Sequence, residues 1–157
     1  MSQTIASAAP ALTVRQAASR IFAEQVRELG RHEQQAKRGR DPEAVHQMRV
    51  ATRRLRAALR IFRGYLAPGK RLPVELRWLA RRLGAVRDHD VILTLLEERH
   101  LAALRGGERE RLEDLLAGLK ERRFAAQEKL ERSLGRGRYA KLARALDDFA
   151  ARPRFAG

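Results

Sequence analysis

Apolar positions recur along the chain at helical spacing, and no segment alternates with a period of two. Thr13 with Gln16 forms a capping box, and Val14, Ala17, Ala18, Ile21, Phe22, Val26 and Leu29 follow on one face. A first helix is therefore predicted from Thr13 to about Arg38, with Gly39 as its stop. Asp41-Pro42 supplies an N-cap and a first-turn proline for a second helix, predicted to run to Leu66 before Pro68-Gly69 ends it. From Pro73 to about Leu104, the positions Leu72, Leu76, Leu79, Leu83, Val86 and Leu93 predict a third. Beyond Gly106-Gly107 a fourth carries Leu112, Leu115, Leu116, Leu119, Ala126, Leu130 and Leu134, and Gly135 with Gly137 terminates it. A shorter fifth holds Tyr139, Leu142, Leu146 and Phe149 and stops before Pro153. With connections this short, the fold class is all-α: an antiparallel helical bundle of four long helices plus a shorter C-terminal helix, with a coiled-coil hairpin as a variant. Residues 1–12 are small, polar and aperiodic and are expected to be a flexible N-terminal tail, leaving 13–157 as a single domain.

A length of 157 residues with 44% apolar content suits one domain with a modest core. The absence of cysteine excludes disulfides and thiolate chemistry. No apolar run approaches the roughly 18 residues of a membrane span, and the chain start lacks the basic and apolar stretches of a signal peptide. A cytoplasmic protein with no membrane partner is the expectation. Charge changes the picture: Lys+Arg number 34 against 19 Asp+Glu, a formal net charge of +15 that calls for a polyanionic partner. Of those 34 basic residues 29 are Arg, whose planar fork suits phosphate oxygens, and Asn is absent. A GC-rich coding sequence also inflates Arg, so position rather than composition must decide.

Position singles out the second helix. Met48, Leu55, Leu59, Phe62 and Leu66 share its core face. His46, Arg49, Arg53, Arg56, Arg60 and Arg63 recur at alternating i+3 and i+4 steps, forming a stripe centred roughly 110° from that face. Val50, Ala57 and Ile61 lie on the stripe's other side, so it runs between apolar positions instead of opposite the core. No acidic residue occurs between Glu43 and Glu75. A solvated helix face ordinarily mixes signs, whereas like charges at this spacing repel by a few tenths of a kcal/mol per pair. An arginine-lined groove or channel for an anion explains the pattern better than a solvated face. Two other arginines fall on apolar faces: Arg87, in the sector of Leu83, Val86 and Asp90, and Arg123, in line with Leu112, Leu119 and Leu130. Charges so placed must be paired or line a wet cavity. Asp90, Asp88 or a neighbouring helix could pair Arg87, while Arg123 has no carboxylate on its own face and suits a shared anionic site.

The run Val45-His46-Gln47-Met48-Arg49-Val50-Ala51-Thr52-Arg53-Arg54-Leu55-Arg56, followed by Leu79, Leu83-Gly84-Ala85-Val86-Arg87-Asp88 and Asp90-Val91, closely resembles the N-terminal half of CHAD domains, the conserved histidine α-helical domains. The resemblance extends over roughly Thr13 to Phe155. It implies a helical module that binds inorganic polyphosphate in a basic central channel, found at polyphosphate granules and often beside a triphosphatase domain of the CYTH class. The motif positions it brings to this chain are His46, Arg49, Arg53, Arg54 and Arg56 on the second helix and Arg87 and Asp88 on the third. Arg60, Arg123 and Arg138 join them on face and charge. The chain departs from the family pattern in lacking a second His/Arg/Lys-rich helix. It is expected to be a natural half-length version, a fragment, or one protomer of a dimer that rebuilds the channel. In a two-fold pair the stripes would oppose across Val50, Ala57 and Ile61, and because +15 chains repel, a homodimer favoured by polyphosphate is expected.

Metal binding is disfavoured. His89 lies between Asp88 and Asp90, but adjacent helix positions diverge, and His46 stands among arginines, where it better donates a hydrogen bond to phosphate. Catalysis is disfavoured too, since phosphoryl transfer needs metal-bound carboxylates or an activated nucleophile, and Ser133 has no evident partner. The expectation is binding without catalysis and without a cofactor. The alternative is nonspecific contact with a nucleic-acid backbone, which fits the charge, yet the eight aromatics fall mostly at core positions and offer few stacking platforms.

Overall fold

A computed structural model describes residues 12–157. The remainder of the expected N-terminal tail lies outside the described residues. The helices are α1 (Val14–Arg38), α2 (Pro42–Ile61), α3 (Arg71–Leu96), α4 (Gly106–Leu134) and α5 (Gly137–Ala151). Successive helices pack on one another from α1 to α4, and α5 closes the bundle against α1, α3 and α4. The architecture is the all-α bundle that the spacing predicts.

Local chemistry sets most boundaries. Thr13 and Gln16 form the capping box at the start of α1, and Gly39 ends that helix in the left-handed region at φ 68°. A side chain from α4 completes this end: Gln127 Nε2 donates to the carbonyl of Ala36 at 2.9 Å, satisfying an acceptor that the helix leaves open. Gln127 also occupies the space that a Cβ at position 39 would need. Asp41 caps α2 by accepting from the Glu43 amide, with Pro42 behind it.

The starts of α3 and α4 lie about two residues before the predicted ones, and two helix ends differ by more. The second helix stops at Ile61 instead of Leu66, because the chain turns at 62–65 and Leu66 forms an antiparallel bridge with Phe155. The Ala67 amide donates to the Arg154 carbonyl at 2.8 Å and the Ala156 amide to the Tyr65 carbonyl at 3.1 Å. Leu66 is still buried, but as part of this bridge, and Arg63 falls beyond the regular stripe. The third helix is interrupted after Leu96 by a π-helical turn over Glu97–Leu101, so it does not run evenly to Leu104. That wider turn re-phases the side chains, and Leu101 and Leu104 pack on a small second cluster of Leu93, Leu112 and Leu116.

The main core gathers Phe22, Leu29, Met48, Leu55, Leu76, Leu83, Val86, Leu130, Leu142 and Phe149, each worth about 2 kcal/mol when fully buried. Between Val86 and Leu93 on α3, and between Leu116 and Leu130 on α4, the two clusters are separated by Asp90 and Arg123. The α3–α4 hairpin thus extends past the main body with its own small core.

Candidate polyanion-binding groove

Met48, Leu55 and Leu59 turn one face of α2 into the core, which places the basic stripe on the flank beside α3. There Arg53, Arg56 and Arg60 line a groove of about 370 Å³ together with Ala57 and Leu59 of α2, Pro68 of the α2–α3 turn, and Pro73 and Arg77 of α3. Four guanidinium groups and no carboxylate face this space. Successive arginines on α2 are offset by about 4.5 and 6 Å along the axis, a ladder of donors suited to a repeating anion. Among the described residues no ion pair involves α2, and none involves Arg77 of α3; Arg49, Arg53, Arg54, Arg56 and Arg60 are all without a carboxylate partner. The only acid on α2, Glu43, bonds to Gln47 at the helix start.

Arg77 was not legible as a site residue. It completes the groove from the opposite wall, and its only sequence signal was its place just past the acid-free stretch that ends at Glu75. Arg87 is half-buried and has no carboxylate partner among the described residues; of the partners open to it, Asp90 is taken by another arginine and Asp88 is exposed. Arg123 Nε donates to Asp90 Oδ1 at 2.9 Å, with the side chains only 19% and 9% exposed. The carboxylate that Arg123 lacks on its own face of α4 comes from α3. Asp90 Oδ2 is buried without a hydrogen-bond partner. Arg138, likewise, is held by Glu75 at 2.7 and 3.3 Å and rests over the Trp78 ring at 4.3 Å.

The matching family model is that of the CHAD domain, over residues 20–157. The chain belongs to the CHAD domain family. The match takes in α1 from residue 20 onward and all of α2 to α5, and the family is associated with polyphosphate binding. No curated protein matches the chain. Within this CHAD domain the motif positions divide by geometry. Arg53 and Arg56 share the groove with Arg60, whereas Arg54 lies on a different face of α2, roughly 100° or more from the stripe, and does not line it. His46 and Arg49 continue the stripe toward the start of α2 and are half-buried; the Nδ1 of His46 is buried without a partner. Asp88 is exposed, and His89 bonds through Nδ1 to the Ala85 carbonyl at 2.6 Å. Among the described residues, no group of His, Asp and Glu is arranged to hold a metal ion, and no helix is long and apolar enough to cross a membrane.

Most of the aromatics fall in the core, as the spacing predicts, with Phe62 packed against it. Phe22, Trp78, Tyr139 and Phe149 are buried, but Tyr65, Phe124 and Phe155 are exposed. None of these aromatics lines the groove.

Proposed function

We propose that this CHAD domain binds inorganic polyphosphate, without chemistry on it, in the groove between α2 and α3. The observation that carries the reading is the set Arg53, Arg56, Arg60 and Arg77 around one space with no carboxylate among its lining. Cations kept together at a cost of a few tenths of a kcal/mol per pair gain most from a ligand that supplies negative charge at each step. His46 and Arg49 extend the same track, and Arg87 adds to it from α3. Arg54 contributes from a neighbouring face, while Arg123 and Arg138, each held by a carboxylate, act at most through their remaining donors. Association with a CYTH-type triphosphatase, a place at polyphosphate granules and a polyphosphate-favoured homodimer belong to the same proposal, and light scattering across a polyphosphate titration tests the last of these.

Competition between long-chain polyphosphate and DNA or RNA, at matched phosphate concentration and physiological salt, tests the assignment. Polyphosphate should displace nucleic acid, because a groove without aromatics has nothing on which to stack bases. Equal or weaker displacement by polyphosphate would assign the groove to nonspecific nucleic-acid contact.

A further inference from the structure

A second basic pocket adjoins the groove at Pro68, which lines both. Its volume is about 600 Å³, and it lies between the start of α3, one face of α5 and the C-terminal segment. Arg71, Arg138, Lys141 and Arg154 surround a floor that includes Leu72 and Leu142, and Glu75 is the one carboxylate in the lining. Glu75 is committed to Arg138. Arg71, Lys141 and Arg154 have no carboxylate partner among the described residues. Arg154 is kept at the pocket by backbone bonding, since its carbonyl accepts from the Ala67 amide at 2.8 Å. The C-terminal segment therefore delivers a cation beside the same turn that closes the groove. Between Arg60 and Arg71 the chain contains no acid, so the one carboxylate beside a polyanion leaving the groove past Pro68 is Glu75 of the pocket lining, which Arg138 holds.

We propose that this pocket is a second phosphate-binding segment, reached by long polyphosphate that already occupies the α2–α3 groove. The inference rests on the reading of that groove as a polyphosphate site. Its consequence is selection for chain length. A short polyphosphate fills the groove alone, because the groove lining has no carboxylate and the pocket has Glu75. A long one engages both segments, the second at the high effective concentration set by the first.

The test uses calorimetric titration of the full chain with tripolyphosphate and with long-chain polyphosphate at two salt concentrations. R71A/K141A/R154A removes the three pocket cations that have no carboxylate partner, and R111A/R122A/K129A removes the same charge from exposed positions of α4. The pocket variant should lose about tenfold in affinity for the long chain, with a salt slope lower by about two, while tripolyphosphate binding stays within about twofold of wild type. The α4 variant should affect both ligands slightly and alike. Equal long-chain losses in the two variants, or no loss in the pocket variant, would overturn the second segment. R53A/R56A separates this from the groove itself. If that variant weakens both ligands and the pocket variant neither, only the second segment falls; if it weakens neither ligand, the groove reading falls as well.

Discussion

The flank of α2 and the α3–α4 hairpin use the same residue type in opposite ways. On the hairpin, four cations each have a carboxylate partner, Arg123 with Asp90, Lys120 with Glu97, Arg109 with Glu113 and Arg132 with Glu128. On α2 the arginines of the stripe have no carboxylate within reach among the described residues, and Arg77 joins them across the groove still unpaired. Pairing on the hairpin serves stability where a charge is buried and is nearly neutral where the pair is exposed. Its absence on α2 has no structural benefit, because like charges at helical spacing repel. A guanidinium with its fork occupied holds the fold, whereas one with its fork open is available to a ligand.

Breaking the matched region should produce the largest effect. Asp90→Ala leaves Arg123 mostly buried and unpaired between the two apolar clusters, which should cost about 3 kcal/mol and lower the melting temperature by roughly 10 °C. The double variant D90L/R123M should recover most of that loss in the same thermal scan, since an apolar pair of similar volume carries no desolvation cost. A loss in D90A below about 0.5 kcal/mol would place this pair among ordinary surface ion pairs.

Giving α2 what the hairpin has sharpens the contrast. Ala57 lines the groove, four residues after Arg53 and three before Arg60. Ala57→Glu should therefore pair with both arginines, raise stability by about 0.5 kcal/mol and weaken polyphosphate binding by about tenfold or more. Chemical denaturation and a polyphosphate titration on the same sample read the two changes, which should have opposite sign. Weaker binding accompanied by lower stability would mean that the carboxylate disturbed the helix instead of pairing.

The smallest effect lies away from both regions. The hydroxyl of Tyr139 on α5 is pushed well above the usual tyrosine range, by burial first and by the adjacent Glu33 carboxylate, to which it donates at 3.3 Å. The folded state thus holds this proton more tightly than the unfolded chain. The associated stability is complete below about pH 10, the ordinary tyrosine value, and is lost as pH rises beyond it. Tyr139→Phe should cost about 0.5–1 kcal/mol at neutral pH, and the gap to wild type should narrow above about pH 10 in urea unfolding. A gap that stays constant with pH would remove the hydroxyl from the alkaline behaviour.

What could be read from the sequence was local. The capping box at Thr13, the stop at Gly39, the Asp41-Pro42 start and the end of α4 before Gly135 are each set by neighbours in the chain, and the structure places all four there. The basic stripe was legible for the same reason, since its spacing lies within one helix. What depended on distant partners was not. Leu66 leaves the helix because Phe155 bridges it, Arg123 finds Asp90 across the hairpin, and Arg138 finds Glu75 from α5. Periodicity gives the direction in which a side chain leaves its helix but not the helix that meets it, so Arg77 was invisible as the opposite wall of the groove while Arg53 and Arg56 were not.

The open guanidinium groups on α2 are most directly tested by titrating long-chain polyphosphate into R53A/R56A and wild type, with a thermal melt of each protein. Affinity should fall by about tenfold or more and the salt slope by about one to two, while the melting temperature stays equal or rises slightly as repulsion is relieved. Unchanged affinity together with a lower melting temperature would make these arginines structural and contradict the account.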